Sequence, residues 1–273
     1  MIKITILTTN NHIYANKIIK HLLNEPSFKI VNILESTTLY SNKNSFNGLM
    51  YYLKVSGFGY VLPQMVKVLL FKIGTFIATS LKLGDDGSIF YSYYRKTKGK
   101  RIKHVKVADI NDPVLIKKLK KVKTDLFVSV YFNQLLKKDV LCIPPLGVIN
   151  IHPAYLPKNR GMSPTFWVLA NKEKETGVSV HFINRAVDEG NILGRRRIMI
   201  SKEDTEASMY WKCTNAGIPL LTTVIRKITS NSIRGIKQKK IEGSYFSIPT
   251  KTAVKQFRKN KRKFYTFSQL FSE

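Results

Sequence analysis

Five short apolar segments that alternate with helix-like segments constrain the fold of this chain more than any other feature of its sequence. Their lengths and their content of Ile, Val, Leu and Phe are typical of β-strands. They are IKITILTT (2–9), FKIVNIL (28–34), IKHVKVA (102–108), DLFVSVYF (125–132) and GVINIH (147–152). Strands that alternate with helices build parallel sheets, so we predict an α/β fold around a mostly parallel central sheet.

Helical patterns between and after these segments support the same fold class. Apolar residues at helical spacing predict a helix over residues 11–24 that buries one face. A second helix is predicted to begin at Pro113, where Asn111 or Asp112 can serve as its N-cap. A third is predicted from Asp204 to about Ile228.

The segment from Phe58 to Leu83, FGYVLPQMVKVLLFKIGTFIATSLKL, is long and apolar but is interrupted by Pro63, Gly74 and three lysines. A helix that spans a membrane needs about 20 nearly uncharged residues, so we do not expect this segment to span one. We predict instead a buried pair of helices separated near Gly74, within a helical insertion over residues 46–84. Two alternatives stay open: a helix that lies on an anionic membrane surface, and an interface with a second copy of the chain.

The chain is strongly basic, with 46 Lys and Arg against 17 Asp and Glu among its 273 residues and a net charge of +29. This charge favours polyanionic partners such as nucleic acid, an anionic membrane face or a phosphorylated small molecule. The alternative is a lysine-rich composition spread over the surface without a dedicated partner.

The cysteine, histidine and N-terminal patterns give three further expectations. Cys142 and Cys213 are too few for a disulfide framework, and their apolar neighbours predict buried, reduced thiols. The five histidines and two cysteines show no metal-ligand spacing, so we expect no metal. The apolar run in MIKITILTTNN is too short for a secretory signal, so we expect a cytoplasmic protein, with the inner membrane face as a further candidate location.

The stretch NIHPAYLPKNRG, residues 150–161, carries the strongest chemical signal. Residues two apart in a strand point to the same face, so Asn150 and His152 are expected to project together. They end a predicted strand, and the carboxyl ends of strands are where open α/β sheets bind their ligands. An amide can stabilise a developing oxyanion and an imidazole can move a proton near neutral pH, a combination suited to acyl transfer.

Together with ETGVSVHFINRAVDEGNIL (175–193), this stretch resembles the folate-dependent formyltransferase family. The first piece is similar to the family's N-x-H…LP…RG segment. The second is similar to its TGV…H…D-x-G segment, with Asp188 at the acidic position. The resemblance covers roughly residues 100–228. It implies a Rossmann-like formyltransferase domain over residues 1–228, with 229–273 as a basic extension rather than an independent domain.

The resemblance also implies the substrates and the site. The formyl donor is expected to be 10-formyltetrahydrofolate, and Asn150, His152 and Asp188 are expected to be the catalytic trio. The segment YFNQLL (131–136) resembles the family's pterin-binding segment, and the loop 184–188 is expected to close the other side of the folate. The candidate folate-binding residues are therefore Phe132, Asn133, Gln134, Leu135 and Val187.

The segments YLPKNRGMSPTFW and GSYFSIPT resemble members of the family that act on nucleotide-linked amino sugars. Candidate residues for binding the acceptor are Tyr155, Arg160 and Trp167. Aromatic Phe166 and Tyr245 are further candidates for packing on a sugar or a base, and Phe166 and Trp167 are equally good candidates for the core. Related enzymes often have a cis proline in the loop after the histidine, so the Leu156–Pro157 bond is expected to be cis.

The identity of the acceptor amine stays open at this point. TTNNHIYA after the first strand lacks the glycine-rich phosphate loop of glycinamide ribonucleotide enzymes, which disfavours that substrate. Only 45 residues follow Ile228, too few for the barrel domain of methionyl-tRNA enzymes, although the basic charge keeps tRNA as a candidate. We favour a small amine, a nucleotide-linked amino sugar above others. The alternatives are a methionyl-tRNA formyltransferase-like enzyme without the barrel, and a basic nucleic-acid-binding protein on a degenerate formyltransferase scaffold.

Overall fold

The fold is an α/β structure built on a mixed seven-stranded sheet, seen in a computed structural model that describes residues 1–10, 12–38, 45–81, 92–93, 97, 101–266 and 268–270. The strands are β1 (Ile2–Thr9), β2 (Phe28–Ser36), β3 (Lys103–Val107), β4 (Leu126–Val130), β5 (Val148–His152), β6 (Arg160–Gly161), β7 (Glu175–Phe182), β8 (Ile192–Met199) and β9 (Tyr245–Phe246). The helices are α1 (Ile13–Asn24), α2 (Ser45–Ser56), α3 (Phe58–Ser80), α4 (Pro113–Lys121), α5 (Lys138–Leu141), α6 (Pro164–Ala170), α7 (Glu206–Thr229) and α8 (Lys251–Lys259).

The sheet has the strand order β3-β2-β1-β4-β5-β7-β8. The five strands from β3 to β5 in this order pair in parallel, and β7 and β8 add an antiparallel edge. The predicted mostly parallel sheet is confirmed. The chain reverses its direction of travel across the sheet between β1 and β4, so the carboxyl ends of these strands border a crevice of the kind that binds ligands in α/β folds.

Two layers of apolar side chains cover the sheet. On one face α1 and α7 pack over β1, β4 and β5, and the predicted inward side of α1 is buried. On the other face α4 and the segment around α5 pack over β2, β3 and β4. Of the two predicted N-cap candidates, Asp112 is the one that caps α4, because its side chain accepts a hydrogen bond from the Val114 N–H at 2.9 Å.

The predicted break near Gly74 is wrong, because α3 continues without interruption from Phe58 to Ser80. A glycine inside a helix costs only about 1 kcal/mol, which packing can offset. The break between helices lies instead at Gly57, whose φ of +74° favours glycine. Pro63 lies within α3 and lacks the N–H that would bond the carbonyl of Gly59. The Arg258 guanidinium donates to that carbonyl at 3.0 Å and so replaces the missing bond.

The prediction that this segment is a buried helical pair is also wrong, because most of the large apolar side chains of α3 are exposed. Tyr60, Val61 and Ala78 are buried, whereas Leu69 is 57% exposed. Within the described residues, Phe58–Ala78 is the one stretch whose length and composition would allow it to cross a membrane, with a mean hydropathy of 1.6. Length and composition alone are weak evidence for spanning. Residues 82–84 of the predicted insertion lie outside the described residues.

The C-terminal segment packs back onto the rest of the molecule. Phe257 of α8 stacks on Phe166 of α6 with ring centroids 4.8 Å apart, and Phe264 stacks on Phe257 at the same distance. The two-stranded pair β6–β9 joins the segment to the loop after β5. The boundary at residue 228 remains a prediction, since these contacts leave the independence of the extension untested.

The two cysteines differ in environment. Cys213 is buried under β7, as predicted, and burial raises the pKa of its thiol to about 12. Cys142 is exposed, so the prediction that it is buried is wrong. It follows the four-residue helix α5, and a short surface helix turns the apolar neighbours inward while its C-cap faces water.

Candidate active site

The candidate active site begins at the carboxyl end of β5, where Asn150 and His152 project to the same face of the sheet. Because β5 pairs antiparallel with β7, Asn150 lies opposite His181 and His152 lies opposite Ser179. The predicted proximity of Asn150 and His152 is therefore present, and the strand pairing adds His181 to them. Asn150 is half-buried, whereas His152 and His181 are both buried.

The carboxylate of Asp188 lies at the centre of these side chains. Its Oδ2 is 3.6 Å from His152 Nδ1 and accepts a hydrogen bond from the Gly161 N–H at 2.9 Å. Its Oδ1 is 3.4 Å from His181 Nε2 and 3.5 Å from Asn150 Nδ2. The sequence motifs predicted Asn150, His152 and Asp188 as a group, and the structure brings the three together around one carboxylate.

The backbone holds Asp188 in this position. Asp188 adopts the left-handed conformation, with φ +52°, in the turn between β7 and β8. The side chain of Gln238 spans this turn, because its Nε2 donates to the carbonyls of Asp188 and Gly190 at 2.7 and 2.8 Å. An aspartate in such a turn is common, but here its side chain points back to the carboxyl end of β5.

The surroundings of Asp188 keep it ionised. Burial acts to raise the pKa of this carboxyl, but the two nearby histidine rings and the Gly161 N–H outweigh burial and hold the pKa well below its ordinary value. The group is therefore a carboxylate across the physiological pH range. It can orient an imidazole and stabilise positive charge in front of it.

Hydrogen bonds also orient the two imidazole rings. His152 Nε2 lies 2.9 Å from the carbonyl oxygen of Asn159, which can only accept, so Nε2 carries a hydrogen and Nδ1 faces Asp188. His181 Nδ1 lies 2.8 Å from the carbonyl of Phe182 and is the donor for the same reason. In the neutral ring, His181 Nε2 is then an acceptor, and Asn150 Nδ2 lies 3.2 Å from it.

Sequence reasoning did not assign His181 to the site, although this residue contacts both Asn150 and Asp188. The available signal was the histidine of VHF within the second motif, at an alternating position of a predicted strand. The pairing register of β5 with β7 was needed to bring it opposite Asn150.

The loop after His152 is fixed by the C-terminal segment. Ser244 accepts the N–H of Asn159 on its hydroxyl at 2.8 Å and the N–H of Arg160 on its carbonyl at 2.9 Å. A Cβ at Gly161, whose φ is +94°, would run into the Phe246 carbonyl, so this close approach requires glycine. The Leu156–Pro157 bond is cis, as expected.

The candidate acceptor-binding residues have different surroundings. Arg160 forms an ion pair with Glu189 at 2.7 Å, beside Asp188. Tyr155 packs against the guanidinium groups of Arg195 and Arg197, at 4.5 and 4.8 Å from its ring centre. Both arginines belong to β8, and their guanidinium groups already cover the Tyr155 ring.

Among the other candidate aromatic residues, Tyr245 is the one that the structure leaves open. Phe166 is fully buried in the core, and Trp167 stacks on Phe246 with centroids 4.6 Å apart while its indole N–H donates to the Ser247 carbonyl. Tyr245 is 55% exposed, pairs with Arg160 across β6 and β9, and its ring borders Gly161. It therefore lies next to the peptide N–H that binds Asp188.

The candidate folate-binding segment after β4 divides into structural and exposed residues. Gln134 is buried, and its amide bonds the Ile110 N–H at 2.8 Å and the Ser36 hydroxyl at 2.8 Å, so it holds the ends of β2 and β3 together. Asn133 donates to the Thr38 carbonyl at 2.7 Å. Leu135 is 67% exposed, whereas Phe132 and Val187 are half-buried.

The described residues contain no group of three His, Cys, Asp or Glu side chains arranged to hold a metal ion. The two histidines around Asp188 are instead held by carbonyl groups and by Asn150. The chemistry that these residues can perform is proton transfer and the stabilisation of a developing negative charge by an amide.

Comparisons with known proteins show which family this chain resembles. Residues 90–225 match the family model described as formyl transferase. The chain is 36% identical over 182 residues to the bifunctional polymyxin resistance protein ArnA of Wigglesworthia glossinidia brevipalpis, a match that covers 65% of this chain and 28% of that protein. It is 32% identical over 141 residues to the methionyl-tRNA formyltransferase of Caldanaerobacter subterraneus subsp. tengcongensis, covering 52% of this chain and 46% of that one. The chain thus spans less than half the length of either relative.

Solved structures share the fold at lower identity. The N-formyltransferase of Helicobacter canadensis, in complex with folinic acid and dTDP-3-aminofucose, superposes with a TM-score of 0.56 at 21% identity, over 91% of this chain and 71% of that one. The glycinamide ribonucleotide transformylase 1 of Symbiobacterium toebii gives 0.57 at 16% identity, over 87% of this chain and 95% of that one. At these identities the likeness establishes the fold alone.

Proposed function

This chain belongs to the formyl transferase family, as its two motifs predicted, and we propose that it transfers a formyl group from 10-formyltetrahydrofolate to the primary amine of a small acceptor. The acceptor that we favour is an amino sugar carried on a nucleotide. The observation that carries the proposal is the carboxylate of Asp188 between His152 and His181, with the amide of Asn150 beside it.

The reaction joins the acceptor nitrogen to the formyl carbon and breaks the bond between that carbon and the folate nitrogen. As the amine attacks, negative charge develops on the formyl oxygen, and the half-buried amide of Asn150 is the donor that can stabilise it. The amine nitrogen loses a proton and the departing folate nitrogen gains one. The Asn159 carbonyl fixes Nε2 of His152, so Nδ1, which faces the ionised Asp188, is the nitrogen that takes up this proton and passes it on, and the carboxylate stabilises the ring while it is protonated.

His181 is a positioning residue in this scheme. Its Nδ1–H bond to the Phe182 carbonyl leaves Nε2 free to accept from Asn150 Nδ2 at 3.2 Å, which sets the direction of the amide. The amide has a second hydrogen, for which the other acceptor is Asp188 Oδ1 at 3.5 Å, and this is the hydrogen that a bound formyl oxygen can accept. The amide is therefore oriented before the formyl group arrives, which reduces the reorganisation that the reaction requires.

The folate would bind on the side of the site formed by the segment after β4. Leu135 and Phe132 supply apolar surface for the pterin, and Val187 supplies it from the turn that carries Asp188. Gln134 and Asn133 contribute through the backbone that they hold in place, because their own amides bond to the ends of β2 and β3 and to the segment after β2.

The acceptor would bind on the opposite side, next to β6 and β9. The exposed ring of Tyr245 can stack on a sugar or a base. Arg160, held by Glu189, lies directly opposite Tyr245 and can contact an anionic group if the acceptor competes for it. A crystallised relative binds dTDP-3-aminofucose, which is the class of acceptor that this arrangement suits.

A tRNA acceptor is the second candidate, and the charge of +29 favours it. One relative, which matches 52% of this chain, is a methionyl-tRNA formyltransferase. The two candidates differ in what they require: a nucleotide sugar needs the Tyr245 side of the site, whereas tRNA needs broad phosphate contacts and a strong salt dependence.

A direct assay tests the proposal. The protein is incubated with 10-formyltetrahydrofolate and separate dTDP- and UDP-linked amino sugars or methionyl-tRNA, and the acceptor is examined by mass spectrometry for the gain of one formyl group. Asp188→Asn is the matched control, because it removes the charge and keeps the shape. Formylation by the unmodified protein that Asp188→Asn abolishes supports the proposal. No formylated acceptor, together with salt-dependent binding to random duplex or tRNA, would favour the nucleic-acid-binding alternative.

A further inference from the structure

A row of exposed apolar side chains runs along one side of α3. The row, here called the α3 stripe, consists of Phe58, Leu62, Met65, Leu69, Ile73 and Phe76. Each of these side chains is between 45% and 74% exposed, and their spacing of three and four residues places them on one face of the helix. A helix of 23 residues is roughly 35 Å long, since each residue adds about 1.5 Å. Continuous exposed apolar surface of this extent marks an interaction site.

The opposite face of α3 is attached to the protein by polar contacts as well as apolar ones. Gln64 donates to the buried carboxyl of Glu206 at 2.5 Å, and the Lys67 ammonium lies 5.6 Å from the centre of the Tyr14 ring. Burial lowers the pKa of Lys67 and raises that of Glu206, and each group partly offsets the effect on the other. A membrane-spanning α3 would have to carry Gln64 and Lys67 into hydrocarbon without these partners.

The exposed charges on the helices around the stripe are positive. Helices α2, α3 and α8 contain no Asp or Glu, and their exposed cations are Lys54, Lys72, Lys251, Lys255, Arg258 and Lys259. Helix α8 packs against both α2 and α3, and Arg258 bonds directly to Gly59. The apolar stripe therefore lies among helices that carry exposed cations and no carboxylate.

We propose that the α3 stripe docks the protein on an anionic lipid bilayer, with α3 lying in the interface and not crossing it. The stripe supplies the apolar surface that enters the boundary between headgroups and acyl chains, and the surrounding cations supply attraction to anionic headgroups. A second copy of the chain fits this surface less well, because a two-fold contact would bring together two sets of basic helices that carry no carboxylate of their own.

Docking would place the candidate active site close to the bilayer. Tyr60 on the inner side of α3 bonds the Ser163 hydroxyl at 3.1 Å, and Ser163 lies two residues after Gly161, whose N–H binds Asp188. The proposal goes beyond formyl transfer and does not depend on it, because binding to vesicles is measured without donor or acceptor.

Vesicle flotation of the full-length protein tests the proposal. The vesicles contain either equal parts phosphatidylglycerol and phosphatidylcholine or phosphatidylcholine alone, at low and at high salt. The test variant is Leu69→Glu/Phe76→Glu. The matched control is Val114→Glu/Ile241→Glu, which makes the same charge change at side chains that are 59% and 95% exposed elsewhere. Circular dichroism confirms that each variant is folded.

We expect the unmodified protein to bind the anionic vesicles at low salt and to bind them less strongly at high salt. The stripe variant should bind at least about tenfold more weakly, because it loses buried apolar area and gains negative charge. The control variant should bind within about twofold of the unmodified protein, because its exposed sites lie outside the stripe. An alkaline carbonate wash should release the bound protein.

Several outcomes would overturn the proposal. One is an unmodified protein that stays unbound on anionic vesicles at low salt. Another is an equal loss of binding in both variants, which would reduce the effect to overall charge. Equal binding to both kinds of vesicle would remove the role of anionic lipid, and retention after the carbonate wash would indicate a spanning helix. A dimer by light scattering that only the stripe variant dissociates, without vesicle binding, would assign the surface to a second copy.

Discussion

His181 Nε2 lies 3.2 Å from Asn150 Nδ2, and the two residues are direct neighbours across β7 and β5. The contact joins a strand of the parallel part of the sheet to the first strand of its antiparallel edge. It also gives the amide of Asn150 a fixed acceptor on the protein side. The direction of the amide, and not only its presence, is therefore a property of the fold.

Replacing His181 with Phe should lower the turnover number for formyl transfer about tenfold to a hundredfold, as expected when a preorganised donor becomes free to rotate. The Michaelis constants of both substrates should change little, because His181 is buried and does not contact solvent. Steady-state kinetics with the best acceptor gives both quantities. A rise in the Michaelis constant at unchanged turnover would contradict the positioning role.

Asn150→Ala should lower turnover by roughly two to three orders of magnitude, the usual effect of removing one oxyanion donor. The variant should remain folded, because Asn150 is half-buried and its backbone bonds within β5 are unaffected. Single-turnover measurements with saturating donor separate the chemical step from binding. Turnover within a factor of about two of the unmodified protein would exclude Asn150 as the oxyanion donor.

Asp188→Asn and His152→Ala should each abolish measurable formyl transfer while leaving the protein folded. The Asn variant keeps the shape and an acceptor for the Gly161 N–H but removes the charge between the two imidazoles. It should also cost stability at neutral pH. The folded pKa of Asp188 lies below its unfolded value, so its contribution is present above about pH 4 and is lost as the pH falls through the folded value.

Urea unfolding at pH 7 and at pH 3 measures this contribution. The difference in the free energy of unfolding between the unmodified protein and Asp188→Asn should shrink toward the lower pH. An equal difference at both pH values would show that the charge of Asp188 contributes nothing to the stability of the fold.

Tyr245→Ala should raise the Michaelis constant of a nucleotide-sugar acceptor about tenfold, the effect expected from loss of one aromatic stacking partner. Turnover at saturation should be nearly unchanged, since Tyr245 is not among the groups around Asp188. Tyr245→Phe keeps the ring and should behave like the unmodified protein. The control is Ile236→Ala, which removes exposed apolar area at a side chain that is 65% exposed. An unchanged constant in Tyr245→Ala would remove this residue from the acceptor site.

Much of the sheet could be predicted from sequence because its central strands β1, β4 and β5 are buried on both faces. Residues 2–9 were predicted and form β1 with the same bounds, and the segments for β4 and β5 extend at most two residues beyond the observed strands. Asn150, His152 and Asp188 could be predicted as a group because the two motifs that contain them are similar to one family.

The parts that could not be predicted depend on contacts between distant segments. Gly57 and Gly74 are both glycines in apolar surroundings, and only the backbone shows that Gly57 has positive φ and Gly74 does not. Pro63 is tolerated inside α3 because Arg258, far along the chain, supplies the lost hydrogen bond. The role of His181 required the register of β5 with β7. Periodicity within one segment contains none of this information.

His12→Asn should make the stability of the protein less dependent on pH between about pH 6.5, the ordinary value for histidine, and pH 4. Burial, with a smaller effect of Lys67, lowers the pKa of His12 to about 3. The ring stacks on Tyr131 at 4.5 Å, and its Nδ1 accepts the Ala15 N–H at the start of α1. Between these two pKa values the unfolded chain binds a proton that the folded protein does not, so stability is fully present above pH 6.5 and declines as the pH falls.

The decline attributable to His12 is at most about 1.4 kcal/mol per pH unit, and asparagine removes it while keeping a good N-cap for α1. Urea unfolding at pH 8, 7, 6 and 5 measures the free energy for both proteins. At pH 8 and 7 the two curves should differ by a constant, because histidine is then neutral in the folded and the unfolded chain. Below pH 6.5 the free energy of unfolding should fall less for the Asn variant than for the unmodified protein. Parallel curves over the whole range would mean that His12 is protonated equally in both states, and that its stacking on Tyr131 does not exclude the charged ring.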